Sequence, residues 1–188
     1  MSFIMSHMKA HPGTTPVQAM SVFDATIARA RELHRNLEDC RAQGLSIEYQ
    51  VCDMTDAAAV RTLLAGVRRK YGRIDGIVHG ATIEESKSLP MKSVDVVLRT
   101  LASKAHLWQT LVQETWDDPL KFCINFGSGS GRYGNKGQTD YSAANCLVAK
   151  SGMVYAGLRP GVRSVTIDWP VWVGAGIVNC RAYQRHWP

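Results

Sequence analysis

Four residues in this chain could work together on a carbonyl group. Tyr141 and Asn145 stand four apart in "YSAAN", at the start of a predicted helix. That spacing puts both side chains on one helix face. Ser128 lies 13 residues before Tyr141, just past the apolar run "KFCINF", which reads as a strand. In a parallel α/β sheet, ligands bind at the carboxyl ends of strands, so this hydroxyl and the tyrosine of the next helix can face one pocket. Lys104 is the fourth residue. In "VDVVLRTLASKAHLWQTL" it interrupts an apolar stripe formed by Val97, Leu101, Trp108 and Leu111. A lysine on a buried face is costly unless it is paired or functional. Taken alone it reads as a side chain that snorkels to the surface; beside Ser128, Tyr141 and Asn145 the functional reading gains. Carbonyl reduction needs a proton donor to oxygen as hydride reaches carbon. A phenol serves if a nearby ammonium favours its ionised form, and a serine hydroxyl can orient the carbonyl oxygen.

The same region contains G-x-G-x-x-G, at Gly129, Gly131 and Gly134. A dinucleotide fingerprint opens a βαβ unit, starts a helix at once and has an acid about 20 positions on. Here "NKGQTD" follows, a set of turn formers, and the first acid, Asp140, comes only 6 residues after Gly134. The motif reads as a decoy for phosphate. Gly127, Gly129 and Gly131 are expected instead to let the chain turn tightly beside Ser128.

The elements that must position these residues alternate. Residues 1–17 read as disordered, with Thr15-Pro16 able to open a helix over about 18–42 that Gly44 closes. "SIEYQVCD" (46–53) reads as a strand, and a helix capped by Thr55 or Asp56 follows it. Strands are also expected at 74–81, at "KFCINF" and at 162–172, with a long helix over about 91–115 and another from about Asp140. Four strands alternating with helices predict α/β architecture with a parallel sheet.

Length and composition set the remaining bounds. A chain of 188 residues with 45% hydrophobic and 20% charged residues suits one soluble domain. The sequence has no secretory signal or long apolar run, so a cytoplasmic protein without a membrane span is expected. The cysteines (Cys40, Cys52, Cys123, Cys146, Cys180) contain no C-x-x-C and read as reduced thiols, several in the core. Scattered histidines argue against a metal site. The net charge is +6, and five bases (Lys150, Arg159, Arg163, Arg181, Arg185) stand near the end against Asp168. Without aromatic interleaving they read as a solvated face, or one that meets an acidic partner or a phosphorylated ligand, rather than a nucleic-acid surface.

"FGSGSGRYGNKGQTDYSAAN" resembles the active-site segment of ketoreductase domains from polyketide and polyunsaturated-fatty-acid synthases, in the short-chain dehydrogenase/reductase superfamily. "YQVCDMTD", "RIDGIVHGA" and "SVTIDWPVW" resemble other blocks of those domains, in the same order. Most of the superfamily reads Tyr-x-x-x-Lys, whereas the synthase ketoreductases read Tyr-x-x-x-Asn with the lysine moved to the preceding long helix. Asn145 and Lys104 match that second pattern. The resemblance implies a Rossmann-like doubly wound parallel sheet and NADPH-dependent reduction of a β-ketoacyl thioester on an acyl carrier protein. It implies Tyr141 as proton donor, Ser128 as the orienting hydroxyl, and Lys104 and Asn145 as supports of the tyrosine and a relay water. Asp53 and Met54 would lie near the adenine, Gly80 and Ala81 near the ribose, and Pro170 and Val171 beside the nicotinamide.

The pattern departs from the family at both ends. Nothing before "SIEYQVCD" matches the glycine-rich turn that holds a pyrophosphate. After "W-x-x-x-G" only a short segment remains. The sheet is therefore expected to be incomplete, lacking the first two strands and the last of the family fold. The expected organisation is a partial ketoreductase domain over 18–178 and a tail over 179–188. The alternative is a catalytically inactive piece with a structural role, or one that pairs with a complementing chain or synthase module. "TIEESKSLP" occupies a loop that varies among family subtypes and leaves the alcohol's stereochemistry open.

Overall fold

A computed structural model describes residues 2–172. They fall into two compact units, Met1–Val51 and Cys52–Pro188. In the first unit, Ser2–Ala10 forms α1 and Pro16–Ala42 forms α2. Residues 2–10 are thus helical where disorder was expected. The reason is a small apolar contact: the Phe3 ring stacks on His7 and meets Phe23 of α2 at 5.2 Å. A reciprocal cap starts α2. The Thr15 hydroxyl accepts from the Gln18 amide at 3.2 Å, and the Gln18 side chain accepts from the Thr15 amide at 2.8 Å. Pro16 follows at the first helical position, where its missing N–H costs nothing.

The expected strand at 46–53 does not form; these residues are irregular. Its composition suits a strand, but a strand needs a hydrogen-bonded neighbour. Tyr49 and Val51 are 54% and 87% exposed, and no described strand pairs with this stretch.

In the second unit, α3 covers Ala57–Tyr71. The Asp56 carboxylate caps it by accepting from the Ala58 and Ala59 amides, and Gly72 ends it with φ 81°. Strands β1 (Gly76–His79), β2 (Phe122–Ser128) and β3 (Arg163–Trp169) form one parallel sheet in the order β1-β2-β3. Between β1 and β2 runs a nearly continuous helix: α4 (Val94–Leu101), a wide π turn (Ala102–His106) and α5 (Leu107–Glu114). Between β2 and β3 come the one-turn α6 (Gly129–Tyr133) and α7 (Thr139–Leu158). The architecture is α/β with a Rossmann-like parallel sheet.

The core lies between one sheet face and α3, α5 and α7. Ile77 and Cys123 from the sheet pack with Val60, Leu64, Leu107, Trp108, Leu111, Val148 and Tyr155. The Trp108 and Tyr155 rings meet edge to face at 5.7 Å, which joins α5 to α7. Arg68 ties α3 to the end of α5: it donates to both Asp118 carboxylate oxygens and to the Glu114 carbonyl. On the other sheet face Val78, Phe122 and Val165 remain 58%, 38% and 42% exposed. Of the cysteines, Cys123 is buried and Cys40, Cys52 and Cys146 are free thiols; Cys180 lies outside the described residues.

Asp56 satisfies two otherwise free amides at the start of α3. Asp56→Ala should therefore lower unfolding free energy by about 1 kcal/mol, measured by urea denaturation.

Candidate functional site

The carboxyl ends of the three strands lie along one edge of the sheet. His79 pairs in register with Asn125, and Ser128 with Trp169. This brings the ends of β1, β2 and β3 beside the loops that follow them, so Gly80, Ser128 and Pro170 belong to the same edge. Two glycines permit the close packing there. A Cβ on Gly127 would stand 2.3 Å from the Asp168 carboxylate, and one on Gly131 would stand 2.8 Å from the Asn145 Cβ. Neither has a positive φ. The expected role in a tight turn is corrected: these positions need space, not an unusual backbone conformation.

Ser128 ends β2 and caps α6. Its Oγ accepts from the Ser130 amide at 3.2 Å and lies 2.9 Å from the Ser130 hydroxyl. Tyr141 is half-buried in the first turn of α7. One turn on, Asn145 is 1% exposed, and its Nδ2 donates to the Tyr141 carbonyl at 2.8 Å. That leaves Asn145 Oδ1 buried with no protein donor among the described residues.

Lys104 sits in the middle of the π turn, and α7 packs against that turn. A π turn inserts one extra residue into the helical ladder and shifts the faces that follow it. It brings Ser103, Lys104, Leu107, Trp108 and Leu111 inward together. The expected uninterrupted helix over 91–115 is therefore corrected to two α-helices joined by this turn. Lys104 is 2% exposed, not a snorkelling side chain, and no carboxylate pairs with it among the described residues. Burial lowers its pKa to about 8, because a desolvated ammonium is disfavoured.

Two neighbouring side chains hold the turn. His79, 2% exposed at the end of β1, donates from Nε2 to the Lys104 carbonyl at 3.0 Å. A carbonyl can only accept, so this contact fixes the histidine tautomer. Burial keeps His79 neutral, lowering its pKa to about 4. The Ser103 hydroxyl accepts from the Ile83 amide at 2.9 Å and donates to the Thr100 carbonyl, tying the loop after β1 to the same turn.

The sequence model for the KR domain matches residues 6–174. The chain belongs to the KR domain family. These are ketoreductase domains of polyketide synthases, within the short-chain dehydrogenase/reductase superfamily. Relatives include polyketide synthase PksN of Bacillus subtilis, 31% identical over 151 residues, which takes in 76% of this chain and 3% of that protein. Another is the hybrid PKS-NRPS synthetase mycA of Thermothelomyces thermophilus, 30% identical over 81% of this chain and 4% of the relative. Among solved structures, a ketoreductase domain from the bacillaene assembly line superimposes with TM-score 0.75 at 30% identity, over 81% of this chain and 38% of that one. A short-chain dehydrogenase from Streptomyces avermitilis shares the fold at TM-score 0.65 and 17% identity, over 70% of this chain and 50% of that one. The chain thus spans a small part of the synthases it matches and under half of the solved ketoreductase domain.

In this KR domain the residues expected to meet a nucleotide are only partly brought together. Gly80 follows β1, where a Cβ would lie 3.6 Å from the Phe126 ring, and Ala81 packs on the core. Strand β3 ends at Trp169, so Pro170 and Val171, both exposed, continue from the sheet edge rather than ending a strand. Met54 packs against the core. Asp53 has no strand to present it, and Thr55 occupies its Oδ1 through both amide (2.9 Å) and hydroxyl (2.7 Å). The Thr55 hydroxyl is the main cause of Asp53's lowered pKa.

Some residues of the site escaped sequence reasoning. His79 gave a faint signal, as a polar residue inside the apolar strand "GIVHG". The ion pair between Lys92 and Asp140 was not found: each side chain is only 1% exposed, and the two stand 48 residues apart. For Asp140, burial opposes ionisation. The Lys92 ammonium, the Tyr141 amide and the Thr100 hydroxyl outweigh it and hold the carboxyl below its ordinary range. Arg181 and Arg185 of the basic cluster lie outside the described residues; Arg159 stacks on Trp116 at 5.3 Å and donates to the Trp116 and Asp118 carbonyls.

The Lys104 pKa gives a signed prediction. Below pH 8 the ammonium is charged in both the folded and unfolded chain, and its full burial penalty opposes folding. Between about 8 and 10.5 the folded form releases the proton first, so stability rises with pH. Lys104→Met should be the more stable protein at neutral pH, by roughly 3 kcal/mol, and the difference should shrink towards pH 10.5. Urea denaturation of both proteins across that range measures it.

Proposed function

We propose that this KR domain reduces a β-ketoacyl thioester, carried on an acyl carrier protein, to the β-hydroxyacyl thioester, using NADPH in polyketide or fatty-acid synthesis. One observation carries the reading. An ammonium with no carboxylate partner among the described residues, that of Lys104, is buried against the helix that presents Tyr141 and Asn145. Such a charge is destabilising unless the site uses it. Family membership and the solved bacillaene ketoreductase support the same reading.

Bound NADPH would supply a hydride to the carbonyl carbon. Ser128 would donate its hydroxyl hydrogen bond to the carbonyl oxygen, with the Ser130 hydroxyl at 2.9 Å holding it in place. Tyr141 would give its phenolic proton to that oxygen as the alcohol forms. Lys104 would favour the phenolate left behind, and its depressed pKa makes its own proton easy to lend. Asn145 Oδ1, buried and without a protein donor, suits a water that relays the proton between Lys104 and Tyr141.

The described residues fit the nicotinamide end of the cofactor better than its phosphates. Gly80, Ala81, Pro170 and Val171 follow strands at the same sheet edge as Ser128. No glycine-rich turn opens a long helix among the described residues, since the glycines after β2 lead into a five-residue helix. The pairing of Asp53 with Thr55 and the unpaired stretch before it favour a second reading. On that reading this chain serves a structural role, or works with a complementing chain or module.

Two measurements separate these readings. Tyr141→Phe should lower turnover of a β-ketoacyl thioester by at least about 10²-fold; full activity would remove Tyr141 as proton donor. NADPH should bind the purified chain more weakly than about 100 μM, because no glycine-rich turn among the described residues offers charge-assisted bonds to a pyrophosphate. Low-micromolar binding by calorimetry would show that the phosphates are held in another way.

A further inference from the structure

We propose that the buried Lys92–Asp140 ion pair is a positioning device that fixes the helix bearing Tyr141 against the helix bearing Lys104; this rests on the ketoreductase reading above. Lys92 lies in the approach to α4, one residue before its Ser93 cap. Asp140 is the second residue of α7 and the immediate neighbour of Tyr141. Their side chains are in direct contact, each 1% exposed.

The carboxylate, on α7, reaches the segment that leads into α4. Its Oδ1 takes the Lys92 ammonium, while Oδ2 is buried with no hydrogen-bond partner among the described residues; the nearby Thr100 hydroxyl on α4 donates to the Val96 carbonyl. Thr100 is fully buried and stands one helical turn before Lys104. The pair therefore joins the segment entering α4 to the first turn of α7, beside Tyr141. Helices α4 and α7 pack directly on each other at this level.

An ion pair is a poor way to stabilise such a contact. The desolvation of two charges roughly cancels their attraction, and an apolar pair of equal volume packs as well. What the charges add is direction: an ammonium and a carboxylate hold one geometry, whereas methyl groups slide. A phenol that must meet both a substrate oxygen and a lysine-linked relay needs that fixed geometry, since a displacement of about 1 Å can cost 10²-fold in rate.

The test uses the full chain and two variants, Lys92→Met and Lys92→Met/Asp140→Asn, with circular dichroism as the check on folding. Turnover of a β-ketoacyl thioester is measured with NADPH over a range of substrate concentrations. In either variant that folds, kcat should fall by about 10²-fold with KM nearly unchanged. A folded variant with wild-type kcat overturns the proposal. The double variant guards against misfolding of the single one, because it leaves no lone buried charge. If the wild-type chain itself shows no turnover, the ketoreductase reading is what fails, and the ion pair is judged by nuclear magnetic resonance. The wild-type Tyr141 amide should stay unshifted as pH falls through the ordinary aspartate range near ~4, because its neighbouring carboxylate stays ionised. In Lys92→Met the same amide should shift within or above that range. A wild-type amide that already titrates there shows that the pair does not hold Asp140, and overturns the proposal without any variant.

Discussion

Burying the ammonium of Lys104 is the constraint on which the site depends. The side chain leaves water without a carboxylate to meet it among the described residues, so its charged form is destabilised where it sits. Everything around it keeps it there. The π turn rotates it inward, the His79 imidazole takes the carbonyl of the same residue, and Ser103 bonds the loop after β1 to the turn. A regular helix would have spread residues 103–108 differently around its axis, because one residue more or less in a turn moves the following side chains by about 100°. The wide turn thus lets one helix bury a lysine together with Leu107 and Trp108.

Close approach is the second requirement. Helix α6 packs on α7, and a Cβ at Gly131 would collide with Asn145. At Gly127 a Cβ would press on Asp168, whose carboxylate is already paired with Arg132 at 2.6 Å. These contacts set how near Ser128, at the end of β2, can lie to the helix of Tyr141 and Asn145. Within the glycine-rich stretch that mimics a phosphate-binding turn, Gly131 is required by packing and Gly134 by its φ of 72°.

The sheet itself is asymmetric. Helices α3, α5 and α7 cover one face and build the core, while Val78, Phe122 and Val165 on the other face stay substantially exposed. Parallel sheets ordinarily carry helices on both faces. The covered face is also the one that receives His79, Asn125 and Gly127, so the described residues retain the layer that shapes the site next to Tyr141.

The sequence by itself pointed to alternating strands and helices, to a helix opening at Thr15-Pro16 and another capped by Thr55 or Asp56, and singled out Lys104, Ser128, Tyr141 and Asn145 as candidates. These rest on local rules: side-chain periodicity, the reach of a capping oxygen, and a lysine out of place in an apolar stripe. The tertiary structure alone decided what depends on partners distant in the chain. Residues 46–53 have strand composition and no strand to pair with, so they stay irregular. Residues 2–10 are helical because Phe3 finds Phe23. The π turn follows no local motif; it is braced by His79 and Ser103, which come from the strand before it and from the turn itself. Lys92 and Asp140 are 48 residues apart, and only folding places them together out of water. Burial belongs to the assembled chain, and no pattern of neighbouring residues encodes it.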